Sequence, residues 1–259
     1  MAGPFTGMVG AFRQRSGDVG FLDRLDDVRA RIIASFIAVV IATAVGFYIV
    51  LNYNVLGLFT APMAPYLAGQ KLKYLSPTDP FFISMKLAIS VGLVLALPFL
   101  LAQLWGVTSP LMRPRERRLL GPALIASVVL FGVGIVFCYM MVVPVMLEFT
   151  LGFQTESLEH WIVIGEYLTV VLRMLLAFGL AFELPVIILL GTILGIVTPQ
   201  FLVAKRRHAV AIITIAAAFI TPPDLSSMIL LALPVWLLYE LSIVLSRAVV
   251  AGRTSADKA

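Results

Sequence analysis

The part of the sequence best suited to chemistry is a polar segment, residues 105–120, that separates two long apolar runs and is called the hinge below. It has a single acid, Glu116, among four arginines: Arg113, Arg115, Arg117 and Arg118. A carboxylate can bind a guanidinium through two parallel hydrogen bonds, a geometry that an ammonium group does not offer. Glu116 is therefore either a solvated charge that offsets its neighbours or a docking point for a cationic partner.

Three further acids lie in or beside apolar runs. Asp27 lies in an amphipathic stretch before the first run, and the two interpretations given for Glu116 apply to it as well. Glu183 lies in the middle of the fourth run, where a buried charge is costly. It is either a protonated or paired acid that holds helices together or a functional contact. Glu240 lies nearer the end of the last run and is expected to extend towards Arg247 at the membrane surface.

Familiar catalytic and nucleotide-binding motifs are missing from the sequence. It has no H-E-x-x-H zinc motif, no G-x-S-x motif beside a span, and no G-x-x-x-x-G-K-[ST] phosphate loop. The two histidines, His160 and His208, fall in different loops, and Cys138 is the single cysteine. The sequence therefore does not indicate an enzyme, a metal site or a cofactor.

The composition is that of a membrane protein. Of the 259 residues, 61% are hydrophobic and 13% are charged, about half the charged share of a typical globular chain. Several apolar runs have the length of about 20 residues that an α-helix needs to cross a bilayer. We therefore predict an all-α polytopic membrane protein that forms one domain over residues 1–259, embedded in the lipid bilayer and without a nucleic-acid partner.

The apolar pattern predicts one interfacial helix and six spans. Residues 18–31 carry apolar side chains at three- to four-residue spacing and are predicted to lie along the membrane surface. The spans are predicted at about 32–51, 81–108, 119–149, 168–197, 209–220 and 228–245. The fifth and sixth are short for a bilayer of ordinary thickness. If the fifth crosses completely, the bilayer around it should be locally thin. The alternative for the fifth is a re-entrant segment.

Caps and prolines shape the predicted bundle. Asp79 and Pro80 are predicted as the N-cap and the first helical position of the second span, and Asp224, in the TPPD turn, precedes the last span. Prolines interrupt four of the six spans: Pro98, Pro144, Pro185 and Pro234. Each removes a backbone hydrogen bond and bends its helix, which favours a concave, cupped bundle.

The distribution of Lys and Arg predicts the orientation. Fifteen of these residues fall in the N-terminal segment, the hinge, the loop after the fourth span and the C-terminal segment, whereas Lys71 and Lys73 alone fall on the opposite side. Lys86 and Arg173 lie within predicted spans. By the positive-inside rule, both termini are expected to be cytoplasmic.

Six stretches, taken in order, resemble the TatC family over almost the whole chain. They are LDDVRARI, SPTDPFFISMKL, QLWGVTSPLMRPRERR, AFGLAFELPV, ITPPD and LPVWLLYELSIVLSR. The resemblance implies a receptor for twin-arginine signal peptides in the cytoplasmic membrane. It also implies an oligomeric translocase, with single-span partners of the TatA and TatB kind, that exports folded proteins by using the protonmotive force and no cofactor.

The resemblance also implies a signal-peptide site. The family's hinge glutamate falls on Glu116 and its N-terminal glutamate on Asp27, which implies that both acids contact the arginine pair. Arg113 and Val107 belong to the same implied site. The sequence departs from the family pattern in that Asp27 is one methylene shorter than glutamate, Arg24 replaces a histidine, and Val107 replaces a frequent aromatic residue.

An intramembrane site is implied as well. Glu183, and with it Glu240, is implied to form the polar environment that partner helices contact, and the fifth span, residues 209–220, is implied as a docking surface. The alternative from another class is an ion-coupled small-solute transporter with Glu183 as its proton site, although the unequal span lengths do not indicate the internal repeat that such a transporter predicts. A scaffold without a ligand remains if Asp27 and Glu116 are inert.

Overall fold

The computed structural model of the chain describes residues 5–67, 72–108, 117, 120–152, 162–221 and 225–256. Within these ranges the structure is helical apart from turns and one isolated bridge. The α-helices are α1 (Phe5–Asn52), α2 (Val55–Thr60), α3 (Asp79–Thr108), α4 (Leu120–Phe137), α5 (Val143–Gly152), α6 (Ile164–Phe182), α7 (Leu184–Ile193), α8 (Pro199–Ala204), α9 (Arg206–Ile220) and α10 (Leu225–Ala256). A 3-10 helix at Ala61–Tyr66 follows α2, and a π-helical turn at Cys138–Val142 joins α4 to α5.

Among the described residues, five helical segments are long and apolar enough to cross a membrane, which confirms a multi-pass, all-α membrane protein. They are Asp26–Asn52, Asp79–Val107, Leu120–Gly152, Ile164–Ile193 and Ser227–Ala251. The candidate fifth crossing, α9, has 15 residues and is about 22 Å long, shorter than the roughly 30 Å hydrocarbon core. Six crossings and cytoplasmic termini therefore stay predictions.

Two predicted boundaries are wrong. The interfacial helix at 18–31 is not a separate element, because α1 continues through it from Phe5 to Asn52. No Gly or Pro lies between residues 21 and 45 to interrupt the helix. The sixth span is not short either, since its membrane-length segment has 25 residues. Ser246, directly after the predicted end, is buried and shares a hydrogen bond with Thr192 at 2.7 Å, so it lies inside the bundle and not at its surface.

The prolines differ in their effect on helix continuity. Pro98 and Pro234 lie inside the unbroken helices α3 and α10. Pro185 follows a break at Glu183 that separates α6 from α7, and Pro144 follows the π-helical turn. Both interruptions fit the loss of a backbone donor at proline. The concave shape stays a prediction.

The core of the bundle surrounds α6. Its buried side chains include Leu168, Val171 and Phe178, each with no exposed surface. The backbones of α4 and α6 meet closely, because a Cβ on Gly134 would lie 2.7 Å from the carbonyl oxygen of Phe178. Glycine at this crossing allows the helices to pack at a distance that no other residue permits.

The described part of the connection between α1 and α3 packs over one end of the core. The Tyr139 hydroxyl donates to the Leu58 carbonyl at 2.6 Å, and the Tyr167 hydroxyl donates to the Phe59 carbonyl at 2.8 Å. Lys73 and Val163 form a parallel bridge that joins this connection to the start of α6.

Candidate functional site

The helices α1 and α3 form a close antiparallel pair that leads into the hinge. A Cβ on Gly92 would lie 2.5 Å from the Cα of Thr43, and one on Gly46 would lie 2.5 Å from the Ala88 carbonyl oxygen. These contacts are backbone to backbone, so the pair depends on glycine at both positions. Small residues spaced by four, such as Ala88 and Gly92, are the sequence signal for such a contact. The predictions above did not include this helix pair.

Arg31 extends this pairing to the end of α3. Its Nη1 donates to Gln103 Oε1 at 3.0 Å, and its guanidinium lies against Gly106. Asp27 precedes Arg31 by one helical turn and is exposed. The antiparallel register therefore puts Asp27 at the end of the pair where α3 leads into the hinge.

The hinge itself is only partly described. Glu116 and Arg113 lie outside the described residues, as does the predicted cap Asp224. Val107 lies in the last turn of α3 and is 38% exposed, and Arg117 is exposed between α3 and α4. The structure therefore describes the helices on both sides of the hinge, α3 and α4. The contact between Asp27 and Glu116 stays a prediction.

Glu183 forms a second, buried polar site. Its side chain is 2% exposed, and within the described part of the chain neither of its carboxyl oxygens has a hydrogen-bond partner. The Ser127 hydroxyl of α4 lies beside it without a hydrogen bond of good geometry. The break between α6 and α7 falls at Glu183 itself. A buried acid beside a broken helix suits a contact with another polar group.

Two predicted contacts are corrected. Glu240 does not extend to Arg247 but pairs with Arg206, at 2.6 Å between Oε2 and Nη2. The partner comes from α9 because that helix packs against α10. The Asp79 carboxylate accepts from the backbone amides of Leu75 and Ser76, before α3, at 2.8 and 2.9 Å. It therefore fixes the preceding turn rather than capping the amides of the helix, which begins at Asp79 with Pro80 in its first turn.

Comparison with known proteins places this architecture in a family. The family model described as Sec-independent protein translocase protein (TatC) matches residues 23–234. The chain belongs to the TatC family. The TatC of Desulforapulum autotrophicum is 36% identical over 230 residues, covering 88% of this chain and 84% of that protein. The TatC of Aquifex aeolicus is 34% identical, covering 92% of this chain and 98% of that protein.

A solved TatC structure has the same fold. A crystal structure of the twin-arginine translocase receptor TatC matches with a TM-score of 0.79 and 34% identity, over 87% of this chain and 98% of that one. These matches confirm the TatC resemblance read from the sequence motifs. They do not favour the small-solute transporter.

Proposed function

We propose that this TatC-family chain is the receptor for twin-arginine signal peptides and a core subunit of a translocase that exports folded proteins by using the protonmotive force. Its partners are TatA- and TatB-like single-span proteins, and its location is the cytoplasmic membrane with both termini in the cytoplasm. The observation that carries the proposal is the α1–α3 register, which brings Asp27 to the end of the pair that leads into the hinge.

The chemistry of the site follows from the two acids. Asp27 and Glu116 lie on separate segments, so each takes one guanidinium of the signal through a bidentate contact. Two lysines would supply equal charge without the flat fork of donors. The hinge is net positive, so its mean potential repels a basic signal, and recognition rests on directional contacts. We expect Arg113 to pair with lipid phosphates and not with the signal, and Val107 to contribute apolar contact to the bound peptide.

Site-specific crosslinking tests this proposal. A photo-reactive residue at position 27 or 116 should crosslink to a signal peptide that carries Arg-Arg and about tenfold less to a matched peptide that carries Lys-Lys, because only the first makes two bidentate contacts. Position 148, an exposed glutamate on α5, is the control and should give no crosslink with either peptide. Equal crosslinking of both peptides at positions 27 and 116 would contradict the receptor.

The proposed partner surface is α9. Its outward side chains are apolar and exposed, with Ile212 at 66%, Ile215 at 59% and Phe219 at 84%. A short helix with an uncovered apolar face suits a single-span partner packing alongside it within the bilayer.

Glu183 is proposed to serve partner assembly rather than signal recognition. Glu183→Ala should weaken copurification of the TatA- and TatB-like partners by about tenfold or more, because it removes the carboxyl group that the partner helices are proposed to contact. Binding of a twin-arginine peptide by the isolated chain should stay within about twofold. Ser127→Ala, which removes the neighbouring hydroxyl, should have a smaller effect. Loss of peptide binding in Glu183→Ala would contradict this division of roles.

A further inference from the structure

A resident arginine lies one helical turn from the proposed signal acid. Arg31 and Asp27 are separated by four residues on α1, so their side chains lie on the same side of the helix. An acid followed by a base at this spacing is the arrangement that forms ion pairs on helices. Both residues are described, and no ion pair joins them.

Two residues of α3 account for the direction that Arg31 takes. Gln103 Oε1 accepts from its Nη1 at 3.0 Å. Gly106 provides the space, because a Cβ at this position would overlap Nη1 and lie 2.9 Å from the guanidinium carbon Cζ. The Arg31 side chain is half-buried in this position. The Gln103 acceptor thus binds the guanidinium on α3, and the lack of a side chain at Gly106 leaves room for it.

We infer that Gln103 and Gly106 are positioning residues that keep Arg31 away from Asp27 and so leave that carboxylate open to an arginine of the signal peptide. The inference rests on the proposed function. Released from α3, the Arg31 guanidinium would need only a change of rotamers to reach Asp27. It would then compete with the incoming arginine at a high effective concentration, because both groups belong to one helix.

The test measures the affinity of a fluorescent twin-arginine peptide for the full chain in lipid nanodiscs. Gly106→Ala, which displaces the guanidinium, and Gln103→Leu, which removes the acceptor at similar size, should each weaken binding about threefold to tenfold. Gly132→Ala is the matched control, since nothing lies within 4 Å of its new Cβ, and it should bind like the wild type.

Three double variants separate this mechanism from damage to helix packing. In an Asp27→Asn background, Gly106→Ala and Gln103→Leu should cause no further loss, because the carboxylate that Arg31 would occupy is gone. Combining Arg31→Gln with Gln103→Leu should restore the affinity of Arg31→Gln alone. A loss that persists in the Asp27→Asn background would overturn the inference.

The outcomes also distinguish this inference from the receptor proposal. A wild-type chain that prefers Arg-Arg over Lys-Lys peptides, together with Gly106→Ala and Gln103→Leu variants of unchanged affinity, would overturn the positioning role alone. A wild-type chain without that preference would overturn both. If Gly106→Ala fails to fold, Gln103→Leu decides, because it adds no atom against the α3 backbone.

Discussion

Replacing Glu116 with glutamine should abolish export of twin-arginine proteins while the chain still inserts into the membrane. Glutamine keeps the size of the side chain but offers one carbonyl acceptor in place of a charged pair of oxygens. A hydrogen bond to a charged group contributes about 1.5–3 kcal/mol, so signal-peptide affinity should fall on the order of 10- to 100-fold.

The measurements are export of a reporter with a twin-arginine signal and peptide affinity of the purified chain. Glu148→Gln is the matched control, because it makes the same substitution at an exposed glutamate on α5, at the opposite end of the third membrane segment from the hinge. It should leave both readouts unchanged. Wild-type export by Glu116→Gln would remove Glu116 from the recognition site.

Replacing Gly92 with alanine should separate α1 from α3 and lower the stability of the whole chain. The new Cβ would lie 2.5 Å from the Cα of Thr43 and 2.7 Å from its amide nitrogen. Both are backbone atoms, so no side chain can move to relieve the overlap. Overpacking of this kind costs about 1–3 kcal/mol, which corresponds to a drop in Tm on the order of 5 °C.

Thermal unfolding in detergent measures this change, and peptide affinity should fall with it because Asp27 moves away from the hinge. Gly121→Ala is the control, since it also lies in a helix but has nothing within 4 Å of the added Cβ. Equal Tm values for the two variants would mean that α1 and α3 are less tightly paired than the contacts indicate.

Long apolar runs were sufficient to predict the five membrane-length segments, because the bilayer requires a minimum helix length. Their ends were harder to predict. A polar residue such as Ser246 indicates the end of a span only if it has no hydrogen-bond partner inside the protein. Thr192, 54 residues away in the sequence, is such a partner, and a single sequence does not show it. The continuation of α1 through residues 18–31 had no signal in apolar spacing, since an amphipathic stretch and a span can share one helix.

The sequence motifs suggest the residue types of the proposed site, but a single sequence does not show which side chains touch. The motifs identified Asp27 and Glu183, whose side chains lie at a surface end and in the core respectively. The hydrogen bond from Arg31 to Gln103 depends on the register between two helices, which a single sequence does not contain. Glu240 was assigned to Arg247 because the two are close in sequence, whereas packing of α9 on α10 brings Arg206 nearer.

The position of α1 has a consequence for how the chain is made. This helix packs chiefly against α3, and only 6% of its membrane segment is buried. Since α3 is the next membrane helix to leave the ribosome, the two can join as a helical hairpin before the remaining spans are synthesised. The α1–α3 pair, which carries Asp27, would then form early. The hinge and the later helices would pack against a pair that is already folded.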